Sequence, residues 1–295
     1  MFFNKISRKT CQLLNKRLNT SNIPGNLPQP KVFTDPLEER KERKEKLAAS
    51  FRLFSKLEFD EGTLSFIFRF IWKIKYKFTY EGVAGHITVR DPIYPDTFWV
   101  NGFGLDFSEI NVSNLIRVDH EGKVVEGKYP VNAAAFSIHS RIHQSRPDVI
   151  AAAHSHSVYG KAFSTLGKLI DPYTQDACAF YNDHVLFSEY GGVAFELDEG
   201  KAIANALGPN NKAAILMNHG LLTVGSTVDE CVWWYLSMEK CCKVELLINN
   251  KSPNAIKNEA AVKQAYSIIG SKYAGWFQFQ GIYRRIIKEY PDCLL

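Results

Sequence analysis

The chain has 295 residues, of which 45% are hydrophobic, 23% charged and 13% aromatic. This composition allows a sizeable buried core and excludes disordered and collagen-like proteins. The formal net charge is +5, but residues 1–34 hold six Lys or Arg and no acidic residue, so the other 261 residues sum to −1. The basic charge therefore belongs to the N-terminal segment and gives no argument for nucleic-acid binding by the rest of the chain.

The six cysteines are spread along the chain without a CxxC pair. Such spacing argues against a structural zinc module and a disulfide framework, and it favours a reducing compartment. The sequence also lacks a run of about 18 uncharged apolar residues, so we predict no transmembrane segment.

The N-terminal segment 1–35 is predicted to be a basic, disordered tail. Its apolar residues can share one helical face, with basic residues between them and no acid before residue 35, a composition typical of a mitochondrial transit peptide. The alternative, which we favour, is a disordered tail on a cytoplasmic protein. Residues 19–36 hold four prolines and form a predicted linker, so the folded body is expected to begin at about residue 36.

The rest of the chain alternates predicted helices and strands. Helical periodicity of apolar residues predicts helices at 37–54, 131–146 and 228–248. Short apolar runs predict strands at 85–89, 97–100, 149–153, 213–217 and 221–224. This alternation predicts the α/β class, with a central sheet covered by helices.

Residues 63–82 differ in composition from their surroundings. They are rich in Phe, Ile, Lys and Tyr, and they end in a Glu-Gly pair at 81–82 that repeats the pair at 61–62. One interpretation is an inserted edge strand, because residues 72–78 alternate apolar and basic side chains. The other is translated intron sequence in the gene model, since these amino acids have codons rich in A and T. Sequencing the spliced transcript distinguishes the two.

Histidines follow two of the predicted strands. The run at 149–153 leads into His154 and His156, and residues two apart on a strand point to the same face, so both imidazoles can reach one ion. The run at 213–217 leads into His219. Three histidines at strand ends predict a three-nitrogen site with an open position, which is typical of a catalytic metal. Neutral nitrogen ligands suit Zn²⁺, and Fe²⁺, Co²⁺ and Mn²⁺ stay as alternatives.

The chain resembles the class II aldolase and adducin family, and is nearest to fungal adducin-related proteins and the adducin head domain. Three segments carry the resemblance: 85–92 (GHITVRDP), 139–156, and 218–225 (NHGLLTVG). It extends over a predicted domain at 36–275, apart from 63–82, and leaves 276–295 as a C-terminal extension. The resemblance implies a three-layer α/β/α fold around a mostly antiparallel sheet, a ring tetramer, and zinc bound by His154, His156 and His219.

The same resemblance shows where the chain departs from the sugar-phosphate aldolases. Aligned on Arg146-Pro147-Asp148, their catalytic glutamate falls at Ala135, and the preceding phosphate-binding serines fall at Ala133 and Ala134. Another phosphate-binding loop aligns with 101–104, which lacks the expected hydroxyl residue. A positioned proton donor or acceptor typically contributes roughly 10²–10⁴-fold to such reactions. We therefore expect a non-phosphorylated substrate and no acid or base at residue 135.

Four further residues are candidates for substrate binding: His86, Thr88, Asn101 and Gly102. The first two belong to the segment that faces the metal in the family. The other two belong to the loop that holds phosphate in its sugar-phosphate members.

Two residues are weaker catalytic candidates. His184 could move a proton, because imidazole titrates near neutrality, although a solvent-facing or interface role is the favoured alternative. Arg90 could act at the site or form a structural ion pair with Asp91. By contrast, His139 and His143 lie one helical turn apart, and we expect them to pack or hydrogen-bond rather than bind the metal.

Two functions follow as hypotheses. The first is a divergent zinc-dependent enzyme of lyase type, acting on a small oxygenated substrate. The second is an adducin-like scaffold without catalysis, whose partner would be actin. Both are expected to be homo-oligomers.

Overall fold

The structure is a computed structural model that describes residues 27–60, 85–189, 197–248 and 254–295. The chain divides into two compact units, Met1–Val32 and Phe33–Leu295. The described part of the first unit, 27–32, contains neither helix nor strand. Residues 1–26 of the predicted tail and the whole of the segment at 63–82 lie outside the described residues.

The described strands form one sheet. They are β1 His86–Arg90, β2 Thr97–Asn101, β3 Leu115–Asp119, β4 Val124–Glu126, β5 Ala151–Ser155, β6 His184–Phe187, β7 Ala213–Leu216 and β8 Gly220–Gly225. Their order across the sheet is β4-β3-β2-β1-β5-β8-β7-β6. Every neighbouring pair is antiparallel except β6 and β7, which are parallel. The sheet is therefore mostly antiparallel, as the resemblance implies.

The described helices cover both faces of this sheet. They are α1 Pro36–Lys56, α2 Ala133–Ser145, α3 Val158–Ser164, α4 Leu197–Leu207, α5 Val228–Ile248, α6 Glu259–Ile269 and α7 Lys272–Glu289. One core cluster joins α1, α5 and α7 to the face that carries Ile87, Ala153 and Leu221. A second joins α2 and α4 to the face that carries Ala152 and Leu222. The predicted three-layer α/β/α architecture is confirmed.

Each predicted helix and strand outside 63–82 is present, with bounds within two residues of those expected. The first helix begins at Pro36, because the Asp35 side chain accepts a hydrogen bond from the Leu37 backbone N–H and Pro36 occupies the first helical position. The pattern did not predict β3, β4 and β6, each of which has two or more residues that are not fully buried. Within the described residues, no helix has the length and apolar character needed to cross a bilayer.

Strand register gathers several strand ends at one edge of the sheet. His86 at the start of β1 lies opposite His154 near the end of β5, and His154 lies opposite Leu222 of β8. Gly220 at the start of β8 lies opposite Leu216 at the end of β7. Residues from four strands therefore meet at this edge, although they lie far apart in the sequence.

Candidate metal centre

Three imidazoles lie together at this edge of the sheet. One ring nitrogen from each of His154, His156 and His219 lies within 4.8 Å of the other two. The ring centroids are 5.2 Å apart for His154 and His156, 4.7 Å for His154 and His219, and 4.9 Å for His156 and His219. The structure thus brings together the three predicted ligands.

Backbone geometry explains this convergence. His154 and His156 are two residues apart at the end of β5, so they project to the same face. His219 is reached through a tight turn, in which its backbone N–H donates to the Leu216 carbonyl at 3.0 Å. Within that turn Asn218 has a φ of 58°, in the left-handed region that asparagine adopts more readily than most residues. The turn directs the chain from β7 back into β8.

A backbone carbonyl fixes the tautomer of His154. Its Nδ1 lies 2.9 Å from the Leu221 carbonyl oxygen. A carbonyl only accepts, so Nδ1 carries the proton and Nε2 keeps its lone pair for another partner. Burial lowers the pKa of His154 and of His219, and the neighbouring imidazoles lower that of His154 further. The neutral form is the one that binds metals, so these residues fit a divalent ion that prefers nitrogen ligands.

Two glycines allow the backbone to approach the cluster closely. Gly85 has a φ of 103°, and a Cβ there would lie 2.8 Å from the Cβ of Ser155. A Cβ on Gly220 would lie 2.7 Å from the Ser155 carbonyl oxygen. Real Cβ atoms do not approach other atoms so closely. Larger residues at either position would therefore displace the strand end that carries His154.

A second group of imidazoles surrounds Thr88 on the same face of the sheet as His154. The Thr88 hydroxyl lies 2.8 Å from His139 Nδ1 and 2.9 Å from His143 Nε2. A hydroxyl has one proton and two lone pairs, so at least one of the two histidines donates to Thr88. The prediction that His139 and His143 form hydrogen bonds is confirmed. The Thr88 hydroxyl is therefore engaged by both rings.

Three buried ring nitrogen atoms in and beside this group, on His86, His139 and His143, have no hydrogen-bond partner among the described residues. His86 Nε2 and His139 Nε2 are buried without a hydrogen bond, and the two rings lie 6.1 Å apart between centroids. Burial lowers the pKa of His86 well below its usual value and that of His139 to about 3, and His139 and His156 lower that of His86 further. Both rings are therefore neutral near pH 7. Unpaired buried polar atoms cost roughly 1–3 kcal/mol each, which favours a ligand group or water at this position.

Arg90 is occupied by the protein itself. Its guanidinium donates to the backbone carbonyl oxygens of Val149, Pro95, His143 and Arg146. These contacts fasten the loops at the far end of β1. The alternative that Arg90 forms an ion pair with Asp91 is wrong, because the carboxylate of Asp91 instead accepts from Arg40 at 2.7 and 2.8 Å.

The remaining two substrate-binding candidates do not present polar side chains to the cluster. Asn101 follows Trp99 by two residues on β2, so it shares the face of the first core cluster, opposite to that of His86. Gly102 lies beside Tyr129, where a Cβ would be 2.5 Å from the Cβ of the tyrosine. Glycine at position 102 therefore allows Tyr129 to pack against the backbone there.

His184 lies away from the cluster. It pairs with Ala213 at the start of β7, whereas the cluster lies beyond Leu216 at the other end of that strand. Its Nδ1 donates to the Phe180 carbonyl at 2.7 Å, and its Nε2 accepts from the Ile170 backbone N–H at 2.9 Å. Both nitrogen atoms are thus used by the backbone, so neither the predicted proton shuttle nor the solvent-facing alternative fits this buried residue.

Sequence reasoning missed two residues of α5 that contact the segment carrying His154 and His156 from the opposite face of the sheet. Tyr235 and Glu239 hydrogen-bond to the serines that alternate with His154 and His156. The alternating His-Ser-His-Ser pattern was visible in the sequence, but it gave no indication of what the serines contact.

Comparisons with known proteins agree with this geometry. Residues 73–246 match the family model described as Class II Aldolase and Adducin N-terminal domain. The chain is 39% identical over 276 residues to Decarboxylase NovR of Streptomyces niveus, covering 92% of this chain and 94% of that protein. It is 37% identical over 275 residues to the 4-hydroxy-3-prenylphenylpyruvate oxygenase/4-hydroxy-3-prenylbenzoate synthase of Streptomyces roseochromogenus subsp. oscitans, covering 92% of each.

A solved structure extends the similarity to the tertiary level. The L-fuculose 1-phosphate aldolase from Glaciozyma antarctica PI12 superposes with a TM-score of 0.76 and 40% sequence identity. The superposition covers 89% of this chain and 95% of that chain.

Proposed function

This chain belongs to the class II aldolase and adducin family, and on that premise we propose that it is a divalent-metal-dependent enzyme of lyase type. Its substrate is a small, oxygenated and non-phosphorylated molecule. The observation that carries the proposal is the cluster of His154, His156 and His219, in which three neutral nitrogen donors converge within 4.8 Å.

Each residue of the site then has a task. His154, His156 and His219 would hold the metal, with the Leu221 carbonyl orienting His154. A bound divalent metal supplies Lewis-acid polarisation of a substrate oxygen. His86, beside this cluster, has an unpaired buried nitrogen that can hydrogen-bond a substrate oxygen. The glutamate of the sugar-phosphate aldolases is replaced by alanine, so this chain must achieve proton transfer differently or catalyse a reaction that does not need it.

Decarboxylation is the lyase reaction that we favour. One relative is named a decarboxylase, and the other an oxygenase of a phenylpyruvate that forms a benzoate. The second name prints a phenylpyruvate and a benzoate, which are carboxylic acids without phosphate. The solved aldolase is named for a sugar phosphate, but the alanines at 133–135 lack the hydroxyl and carboxylate groups that the resemblance assigns to phosphate binding and proton transfer. A 2-oxo acid or aromatic acid is therefore the substrate class to test.

Elemental analysis tests the proposal first. Plasma mass spectrometry of the purified protein should find about one zinc or iron ion per chain, and the His219→Ala variant should lose it. The metal-loaded protein would then be assayed for CO₂ release from phenylpyruvate and 4-hydroxyphenylpyruvate, with His219→Ala as the matched inactive control. Absence of metal from the wild type after reconstitution with zinc and with iron would overturn the proposal.

A scaffold function is the second candidate, and the alanine at position 135 favours it because the aldolase acid/base is missing. In that case the protein would use the adducin-like fold for assembly, with actin as its partner. Co-sedimentation separates the two: saturable binding to actin filaments supports the scaffold, and its absence supports the enzyme.

Under either function we propose a homotetramer, which light scattering would test. We also propose a cytoplasmic location under either function.

A further inference from the structure

Serine and histidine alternate at the end of β5, and the two residue types face opposite sides. His154 and His156 point to the metal-binding cluster. Ser155 and Ser157 point to the opposite face, where α5 packs, and each hydrogen-bonds to Tyr235 of that helix. The segment 154–157, which carries two predicted ligands, is therefore hydrogen-bonded to α5 on the face opposite the histidines.

Hydrogen-bond chemistry gives this contact a direction. Ser157 Oγ donates to the Glu239 carboxylate at 2.5 Å, because an ionised carboxylate only accepts. The single Ser157 proton is thereby used, so the Tyr235 hydroxyl is the donor to Ser157 Oγ, 3.0 Å away. It shares its one proton between that oxygen and the Ser155 carbonyl oxygen, also at 3.0 Å. The Tyr235 oxygen in turn accepts from Ser155 Oγ at 2.7 Å. The three hydroxyl groups thus form a hydrogen-bonded chain that ends at the Glu239 carboxylate, and its central member, Tyr235, also donates to the strand backbone.

The Tyr235 hydroxyl also holds the backbone of the strand end, since it lies 3.0 Å from the Ser155 carbonyl oxygen. Glu239 holds the next stretch of backbone, because its carboxylate accepts from the N–H groups of Tyr159 at 2.9 Å and Gly160 at 2.7 Å. The backbone on both sides of His156 is thus tied to two side chains one helical turn apart on α5.

Burial makes this network rigid. Tyr235, Ser155 and Ser157 are fully buried, and Glu239 is 5% exposed. In a region of low dielectric constant, hydrogen bonds in a chain strengthen one another, and a broken member leaves its partners unpaired at high cost. Any displacement of α5 or loss of one hydroxyl would therefore be transmitted to the segment that carries His154 and His156.

We propose that Tyr235 and Glu239 are positioning residues, which fix the His154-Ser155-His156 segment in the conformation that binds the metal. This inference rests on the proposed metal site. Groups that orient metal ligands without touching the ion typically change metal affinity by 10–100-fold when they are removed. Here Tyr235 and Glu239 hydrogen-bond to the backbone and to the two serines beside the ligands, and not to the imidazole rings themselves.

The test compares two tyrosine variants. Tyr235→Phe removes the central hydroxyl of the chain, whereas Tyr266→Phe removes a hydroxyl that donates to Asp183 at 2.7 Å elsewhere in the fold. The dissociation constant for Zn²⁺ is measured by competition with a chromophoric chelator, and the melting temperature is measured on the metal-free proteins. Tyr235→Phe should weaken zinc binding by about 10-fold or more, and Tyr266→Phe should leave it unchanged.

The visible absorption of the Co²⁺-substituted proteins gives a second readout, since it reports ligand geometry directly. The spectrum should change in Tyr235→Phe and not in Tyr266→Phe. If Tyr235→Phe does not fold, Ser157→Ala breaks the same chain with the loss of one oxygen atom and should weaken zinc binding similarly. If a folded Tyr235→Phe or Ser157→Ala variant binds zinc as tightly as the wild type, the positioning role is overturned, but the proposed metal site is not. A wild type that binds no metal overturns the proposed function itself.

Discussion

At the scale of single residues, hydrogen-bond partners decide what each histidine can do. His154 gives one nitrogen to a carbonyl and keeps the other for a ligand. His184 uses both nitrogen atoms on the backbone. His139 uses one on Thr88 and leaves the other buried and unpaired near the cluster. Identical side chains thus have different chemistry because their surroundings differ.

Replacing His154 with alanine should abolish stoichiometric metal binding without unfolding the protein. The variant loses one of three nitrogen donors and one buried hydrogen bond, which is worth roughly 1 kcal/mol. Metal content and far-ultraviolet circular dichroism measure the two effects. The half-exposed His120 provides the control, since His120→Gln should keep the metal. Metal retained by His154→Ala would show that the ligand assignment is wrong.

The buried imidazole of His139 should make stability depend on pH. Burial lowers its pKa to about 3 in the folded protein, compared with about 6.5 in the unfolded chain. Between these values the unfolded chain binds more protons, so acidification destabilises the fold, and the contribution is absent above pH 6.5.

From pH 6 to pH 5, the unfolding free energy of the metal-free wild type should fall by roughly 1 kcal/mol more than that of His139→Gln. Urea titrations at both pH values measure the difference. The less buried His120 serves as the comparison, and His120→Gln should differ less from the wild type. Parallel pH dependence of the wild type and His139→Gln would contradict a buried neutral His139.

At the scale of secondary-structure elements, glycines set how closely backbones approach. Helices α2 and α4 pack on the same face of the sheet, and a Cβ on Gly200 of α4 would lie 2.0 Å from the Ser137 carbonyl oxygen of α2. No rotamer change can relieve a clash with backbone. The contact between α2, which carries His139, and its neighbouring helix therefore requires glycine at position 200.

Gly200→Ala should destabilise the protein by roughly 1–3 kcal/mol, the usual cost of overpacking. Gly281→Ala is the matched control, because Gly281 also lies within a helix, α7, and a Cβ there meets no atom within 4 Å. That substitution should be stabilising by roughly 0.5–1 kcal/mol, since alanine favours helix. Urea unfolding of the two variants measures the contrast, and equal effects would argue against the close approach of α2 and α4.

At the scale of the whole molecule, the C-terminal residues are part of the main core. Helix α7 packs on the face covered by α1 and α5, and its Phe279 and Ile286 are buried. The final turn is also attached, because Arg52 donates to Asp292 and the Leu295 carbonyl accepts from the Ser113 N–H. The segment that we predicted as an extension at 276–295 thus contributes to the same hydrophobic cluster as the domain before it.

Two phenylalanines of α7 test this contribution. Phe279→Ala should cost roughly 3–5 kcal/mol, because Phe279 is 1% exposed and its loss leaves a cavity in the core. Phe277→Ala should change stability by roughly 0.5 kcal/mol, because Phe277 is 38% exposed. Thermal and urea unfolding give both values. Similar costs for both variants would mean that α7 does not pack as described.

The sequence by itself determined the features that depend on neighbouring residues. Apolar periodicity predicted the main helices and strands, and the position of His154, His156 and His219 after strands predicted their convergence. Family motifs predicted the layered architecture. Periodicity and motifs are carried by short segments, so each segment specifies its own element. The convergence of the three histidines was inferred from their common position at strand ends.

Only the tertiary structure decided which polar atoms are free and which are used. Thr88 and His139 are 51 residues apart, and Ser155 and Tyr235 are 80 residues apart, yet each pair is hydrogen-bonded. Likewise, Arg40 rather than Arg90 pairs with Asp91. The availability of a side chain for chemistry depends on partners that the sheet and helices bring together from distant segments, and no local pattern encodes that choice.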